Sequence, residues 1–300
     1  MKIETGTIAV TGGSGFIGRY LVDDLKAAGY MPIVLGRDGV DGGDRRQTDY
    51  SRDSLKAALQ GVDAVVHLAG RRMTREDDPN DVTPFLSPNV EAVADLMTAC
   101  RAVGVKKVVY ASTIAVYSPS SGLPYRETSP TRPINAYALS KLMGESCVEM
   151  MGRILGLAAL SLRFAAVYGH GEKGTPALMK FIDQAGRRET LVLKGNMDYR
   201  IDQVYIRDAT AAILSSLRAP CAGGVFNIGG GRALPVLEIA ETVNAVFDND
   251  GNLSIEDEVK KKAPRTVMDL EAARAELGWE PRYSLRGGLE DFRNTRHRAA

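Results

Sequence analysis

Thr11-Gly12-Gly13-Ser14-Gly15-Phe16-Ile17-Gly18 follows a short apolar run, Thr7–Val10, and opens a segment in which Ile17, Leu21 and Leu25 recur on one helical face. Taking Gly12, Gly15 and Gly18 as fixed points gives a G-x-x-G-x-x-G spacing between a strand and a helix. The turn needs residues without a Cβ, because a pyrophosphate must come close to backbone N–H groups. The helix N-terminus then adds its partial positive charge. This stretch predicts a dinucleotide site built by Gly12, Gly15, Phe16, Ile17 and Gly18.

Outward from the loop, strands and helices alternate. The first helix covers Phe16–Ala28 and stops at Gly29. Strands are predicted at Pro32–Leu35, Ala64–Leu68, Lys107–Ala111, Ala158–Phe164 and Val225–Ile228. Helices are predicted at Ser54–Leu59, Asn89–Val103, Asn135–Leu155 and Pro176–Gln184, then at Asp208–Leu217, Val236–Phe247 and Leu270–Leu277. Asp208 is the expected N-cap of its helix. Residues 186–207 read as short strands and turns, Gly169–Gly174 as a glycine-rich loop, and Asp248–Gly251 as a mobile one. Such alternation implies an α/β fold with a doubly wound parallel sheet and helices on both faces.

Composition narrows the function classes. The chain has 300 residues, 44% hydrophobic and 25% charged, with a net charge of +1. That balance gives no case for nucleic acid or an anionic membrane as partner. Cys100, Cys147 and Cys221 are widely spaced and odd in number, so buried reduced thiols are expected, with neither a disulfide framework nor a metal site. No basic segment with a following apolar stretch precedes the first strand, and apolar runs fall short of the ~20 residues that span a bilayer. A cytoplasmic protein is expected.

The end of the second strand commonly reads the adenosine ribose. An acidic residue there bonds the 2′-hydroxyl of NAD, whereas an arginine accommodates the 2′-phosphate of NADP. About 20 residues past the glycines stands Leu35-Gly36-Arg37-Asp38. Gly36 takes the acidic position and Arg37 follows, which favours NADP. A shift of one residue would bring Asp38 to the ribose and leave NAD possible. Asp49, followed by Tyr50, has two readings: acceptor for the adenine amino group, or N-terminal charge for the helix after Ser51. Leu68, Ala69 and Gly70 end the next strand, where their backbone would skirt the cofactor. His67, ahead of them on a buried strand, reads as structural. Arg71, Arg72 and Arg75 read as a solvated charge run in preference to a site for an anionic substrate.

Tyr137 and Lys141 stand four residues apart on a helix and share one face. A phenol with a pKa of ~10 is a poor base at neutral pH. A nearby ammonium is expected to lower that pKa, and the lysine can also hold the nicotinamide ribose. Thr113, at the C-terminal edge of the sheet, is the candidate partner for a substrate oxygen. Ser112 beside it is expected to be a structural or cofactor contact.

With these residues in place, the sequence resembles the extended short-chain dehydrogenase/reductase family, and in it the NAD(P)-dependent nucleotide-sugar epimerase/dehydratase group. The likeness runs through Thr11–Gly18, Asp63–Gly70, Asn89-Val90, Val108–Tyr117 and Tyr137–Lys141. It continues through Leu162–Gly169, Arg200 with Val204–Asp208, Phe226–Gly231 and Ala275–Pro281. The resemblance implies a Rossmann domain over 1–167, with 200–230 returning to it. It implies a small C-terminal α/β substrate lobe over 168–199 and 231–300, and a homodimer formed through two helices per subunit. Tyr137 would be the general acid or base, Lys141 its activator, and Thr113 the substrate hydroxyl partner. Arg200 would bind a substrate phosphate, with Arg265 a weaker candidate.

Two departures matter. The family's asparagine at the nucleotide diphosphate is here Ala166, and the acidic pair that dehydratases carry after the threonine is here Ile114-Ala115. Dehydration by that route is therefore not expected, and a 4-epimerase or 4-ketoreductase of a nucleotide-linked sugar is. NADP tilts the choice toward reduction. The alternatives are a dehydrogenase or reductase of a non-nucleotide carbonyl or uronate and, in another class, a non-catalytic NADP-binding sensor.

Overall fold

Along the chain the elements run β1 (Thr7–Thr11), α1 (Phe16–Ala27), β2 (Met31–Gly36), β3 (Arg45–Gln47), α2 (Arg52–Ala58), β4 (Ala64–His67), α3 (Thr83–Leu86), α4 (Ala92–Val103), β5 (Lys107–Thr113), α5 (Ala136–Leu155) and β6 (Ala158–Phe164). There follow β7 (Ala166–Tyr168), α6 (Pro176–Gly186), β8 (Leu191–Gly195), β9 (Arg200–Tyr205), α7 (Ile206–Arg218), β10 (Gly223–Ile228), β11 (Ala233–Pro235), α8 (Val236–Val246), β12 (Leu253–Glu258) and α9 (Leu285–Ala299). The computed structural model describes residues 1–37, 44–173, 176–258 and 266–299.

Seven parallel strands form the central sheet in the order β10-β6-β5-β4-β1-β2-β3. Strand alternation feeds two cores. Ile8, Val10, Ala64 and Val66 pack with Leu21 and Leu25 of α1 and Ile213 of α7 on one face. Ala9 and Val65 pack with Leu55 of α2, Leu96 of α4 and Val148 of α5 on the other. The sheet is thus doubly wound, as the alternation of strands and helices requires. The strand order reverses between β1 and β4, which opens a crevice at their C-terminal ends, the usual ligand position in such sheets.

A third core joins Leu178 and Ile182 of α6, Leu191 and Leu193 of β8, Ile239 and Val243 of α8, and Leu289 and Phe292 of α9. Two small sheets, β11-β9-β7 and β12-β8, accompany it. Neither α9 nor β12 was expected from the sequence pattern. Gly287-Gly288 masks α9, yet a Cβ at Gly288 would collide with the Tyr168 hydroxyl, so close helix packing explains the glycine.

Two local expectations are corrected. Asp208 is no N-cap: α7 begins at Ile206, and the buried Asp208 carboxylate accepts the backbone N–H groups of Arg282 (2.9 Å) and Tyr283 (3.0 Å). The carboxylate in the first turn has been recruited to dock a distant segment. The stretch 248–251 is tied down, because buried Asn249 donates to the Glu189 carbonyl (2.9 Å) and the Asn244 side chain (2.9 Å). All three cysteines are free thiols. Among the described residues no helix is long and apolar enough to cross a membrane, and no cluster of three or more His, Cys, Asp or Glu side chains could hold a metal ion.

The first turn packs backbone directly against backbone. Gly12 has φ +67°, and a Cβ on it would lie 2.8 Å from the Ala69 nitrogen. A Cβ on Gly18 would run into the Gly12 carbonyl oxygen and the Gly13 backbone, which cannot swing aside. Gly18→Ala should lower unfolding stability by about 1–3 kcal/mol through overpacking, measured by urea denaturation without cofactor. A parent-like midpoint would show that the turn can open.

Candidate active site

A cleft of about 740 Å³ lies at the sheet reversal. Gly12, Gly15, Phe16, Ile17 and Gly18 line one end, Leu68, Ala69 and Gly70 its floor, and Thr113, Tyr137, Lys141 and Ala166 the other end. The structure thus gathers the glycine turn and the expected catalytic trio into one space. Arg37, Asp49, Tyr50 and Arg200 are not part of that lining.

The glycine end fits a dinucleotide. The first turn of a helix carries N–H groups with no intrahelical acceptor. In α1 no side chain caps them and no acidic residue stands in the first turn, so an anion meets no competitor. Thr11 secures the approach of β1 to β4. Its hydroxyl accepts the Ala69 N–H (3.2 Å) and shares a 2.8 Å hydrogen bond with His67 Nδ1. His67 is buried and stacked on Tyr110 at 5.9 Å. Burial, with Lys141 adding a smaller push, drives its pKa down to about 3. It is a neutral structural histidine.

At the C-terminal end of β2 the strand closes on Gly36, and the exposed Arg37 holds its guanidinium carbon 5.7 Å from the Tyr50 ring centroid. The Tyr50 hydroxyl donates to the Leu35 carbonyl (3.4 Å). Asp49 accepts the Ser51 N–H at 2.8 Å, and hydrogen bonding from Ser51 holds its carboxyl below the ordinary range. That is the geometry of the helix-start alternative for Asp49. Asp38 and Arg265 lie outside the described residues.

At the chemical end, Asn135 caps α5 by accepting the Ala138 N–H (2.8 Å). This fixes where Tyr137 and Lys141 leave the helix. Thr113, the last residue of β5, hydrogen-bonds the Tyr137 phenol. Lys141 is buried with Nζ 4.2 Å from the Tyr110 ring centroid.

The electrostatics correct one expectation. Lys141 does not lower the Tyr137 pKa. Burial raises the phenol above its ordinary value, opposed first by the charge of Arg72 and then by the Thr113 hydrogen bond. Burial draws Lys141 itself down to about 7, with Glu145 pushing the other way. At a pH where the phenol titrates, Lys141 is already neutral and has no charge to lend.

Arg72 is exposed, as a solvated charge run is, yet its charge reaches the phenol. Buried Asn89 fixes the chain before it, accepting the Arg71 N–H (2.7 Å) and donating to the Arg71 carbonyl (3.0 Å) and Ser140 (2.9 Å). The Arg71 guanidinium turns to Asp77 and lies 5.4 Å from the Phe85 ring centroid. Arg72 lines the cleft, pairs with Glu172 at 2.9 Å and acts on Tyr137. Arg75 is exposed. The sequence signal was the position of Arg72, two residues beyond Gly70 at a strand end. Glu172 carried none, because its partner stands a hundred residues earlier. Arg200 heads β9, opposite Pro235 of β11, and is not brought to the cleft.

Residues 8–229 match the model of the NAD dependent epimerase/dehydratase family. The chain is 30% identical to a UDP-glucose 4-epimerase of Azospirillum brasilense, over 94% of this chain and 89% of that one. It superposes on the crystal structure of UDP-N-acetylglucosamine 4-epimerase from Bacillus cereus with TM-score 0.89 and 33% identity, covering 97% and 96% of the two chains. It superposes on MoeE5 in complex with UDP-glucuronic acid and NAD with TM-score 0.84 and 27% identity, covering 98% and 100%.

Because the charge of Arg72 lowers the phenol pKa, its removal should raise it. In R72L the ultraviolet titration of Tyr137, taken as the difference from the same protein carrying Y137F, should move to higher pH, and R72K should restore it. An unmoved midpoint would place Arg72 too far away to matter.

Proposed function

The chain belongs to the NAD dependent epimerase/dehydratase family, and from that premise we propose that it is an enzyme that interconverts a carbinol and a ketone on a nucleotide-linked sugar, as a 4-epimerase or 4-ketoreductase. The observation that carries this is the Thr113 hydroxyl on the Tyr137 phenol, with Lys141 one helical turn away, in a cleft that begins at the glycine turn. When bound, the nicotinamide dinucleotide supplies or accepts the hydride. Gly12, Gly15, Phe16, Ile17 and Gly18 would hold its phosphates, and Leu68, Ala69 and Gly70 would flank its ribose. Tyr137 takes the proton from the sugar hydroxyl in oxidation and returns it in reduction. Thr113 orients that hydroxyl by holding the same oxygen pair in line. Lys141 would hold the nicotinamide ribose hydroxyls with its ammonium. The unit around the third core would be the substrate lobe.

NADP is the cofactor this chain favours over the NAD bound by MoeE5. Gly36 offers no carboxylate to a 2′-hydroxyl, while Arg37 stands stacked on Tyr50, free to meet a 2′-phosphate. R37A should weaken NADPH binding about tenfold or more, on the scale of a charge-assisted pair, and leave NADH binding unchanged. Equal parent affinity for both would overturn the preference. With NADPH and nucleotide 4-keto sugars the parent should turn over, and Y137F should lose about 10²–10⁴-fold of that rate. An undiminished Y137F rate would sink the mechanism.

Ala166 favours a second reading. It sits with Ala165 and Val167 on an apolar stretch of cleft wall that provides no side-chain donor to a diphosphate. A non-nucleotide carbonyl or uronate fits that wall. Thermal-shift titration with UDP, GDP, CDP and dTDP separates the two, since stabilisation by any of them supports the nucleotide-linked substrate.

A second copy of the chain would cover α5. Leu139, Met150 and Ile154 expose 39%, 48% and 69% of their surface along that helix. Light scattering should find a dimer for the parent and a monomer for M150K/I154E. A parent monomer at micromolar concentration would remove this assembly.

A further inference from the structure

We propose that Glu145 is a positioning residue for the Tyr137/Lys141 pair, holding Lys141 in its ammonium form from the next turn of α5 while Ser112 and Arg163 hold Glu145 in place. This rests on Tyr137 and Lys141 acting as set out under the proposed function.

Tyr137, Lys141 and Glu145 follow one another at intervals of four along α5 and so form a ladder on one face. The ladder faces the C-terminal end of β5. At its top, Thr113 meets Tyr137, and one residue back the Ser112 hydroxyl donates to Glu145 Oε1. Arg163 of β6 grips the same carboxylate. Its Nε lies 3.0 and 3.2 Å from the two oxygens and its Nη2 lies 2.7 Å from Oε2. The two side chains are 5% and 6% exposed. Arg163 is held in turn by the Tyr117 hydroxyl, which accepts from Nη1 at 2.7 Å and donates to Asn227 Oδ1 of β10 at 2.9 Å. Glu145 is therefore fixed from three adjacent strands.

A buried ion pair adds little stability over a well-packed apolar pair. Its location suggests what it does instead. The groups around Lys141 are the Tyr110 ring on β5, His67 on β4, and Tyr137 and Glu145 on its own helix. His67 is neutral, and both phenols titrate above their ordinary values, so neither carries charge near pH 7. Glu145 is the group whose negative charge acts on Lys141. Burial pulls the ammonium down to about 7, and without that carboxylate the amine would be neutral at the pH of the cell. The sign is fixed: the ammonium is lost as pH rises through the Lys141 midpoint, and removing Glu145 moves that midpoint down.

The midpoint can be read without turnover. In protein carrying [13C]lysine, the Lys141 side-chain resonance is assigned by its loss in K141R and followed against pH. In E145Q the midpoint should fall by about 1–2 pH units, the scale of a partly buried charge pair. In E145D it should stay near the parent value. The alkaline limb of turnover should move with it. If E145Q does not fold, E145Q/R163Q leaves no arginine without its carboxylate and is read in the same way. An E145Q protein that is less stable but titrates at the parent midpoint has lost only structure, and overturns the proposal. Since the resonance needs no catalysis, a shifted midpoint supports Glu145 whatever Y137F does to turnover, so the two proposals fail separately.

Discussion

The site depends on how closely the backbone leaving β1 approaches the backbone leaving β4. Gly12 lies so near Ala69 that no side chain fits between them, and Thr11 spans the two strands with its hydroxyl. Parallel strands make this possible, because their C-terminal ends lie side by side where the sheet order reverses. Once the two turns touch, α1 must begin at the cleft and present its uncapped N-terminus to it. The floor then runs without a break from glycine turn to Tyr137. A methyl group at this contact would displace both walls of the cofactor groove together.

Buried charge elsewhere in the molecule shows by contrast what is unusual at Lys141. Lys107 is also buried, but its ammonium donates to the carbonyls of Ser216 (2.9 Å) and Ala219 (2.6 Å) at the end of α7. That is a helix C-terminal cap, where a cation is favoured. Asp202, buried on β9, accepts the N–H groups of Gly230 (2.7 Å) and Met268 (3.0 Å). Both charges fasten loops to strands. Lys141 instead meets the face of a tyrosine ring and the charge of Glu145. Burial lowers the pKa of both lysines, but Lys141 is drawn to about 7, so its protonation is poised near neutrality.

The glycine turn, the doubly wound sheet and the Thr113, Tyr137 and Lys141 trio were legible because each leaves a local mark: a spacing, a periodicity, a strand end. What was not legible is what arises between elements. Glu145 reads in sequence as one more charge on a helix, and only the fold brings Ser112 and Arg163 against it. Arg72 gains its role from Asn89, which fixes the preceding residue, and from Glu172, which the chain reaches much later. Asp208 reads in sequence as an N-cap, because the docking of Arg282 and Tyr283 on it has no local signature. α9 was hidden for the opposite reason. Its two glycines carry low helix propensity, and tertiary packing against Tyr168 outweighs it.

The polar inventory of the cleft limits the chemistry further than the family does. Elimination of water needs a carboxylate placed to take a proton from carbon beside the ketone. Among the described residues Glu172 lines the cleft but is tied to Arg72, and Glu145 lies beneath, gripped by Arg163. Beside Thr113 stands Ile114, and Ala165 and Ala166 form apolar wall nearby. Among the cleft groups this leaves Tyr137, the proposed proton-exchanging residue. One proton and one hydride interconvert a carbinol and a ketone and do nothing more. Both halves of an epimerisation consist of that step, and so does a net reduction. The two outcomes differ in whether the oxidised cofactor stays for the reverse transfer or leaves. On the proposed reading Tyr137 and Thr113 act at the reacting carbon alone, so they serve either outcome equally. Under the proposed function the partition belongs to the grip on the cofactor, and so to the end of β2, where Gly36 and Arg37 stand in place of an acidic residue.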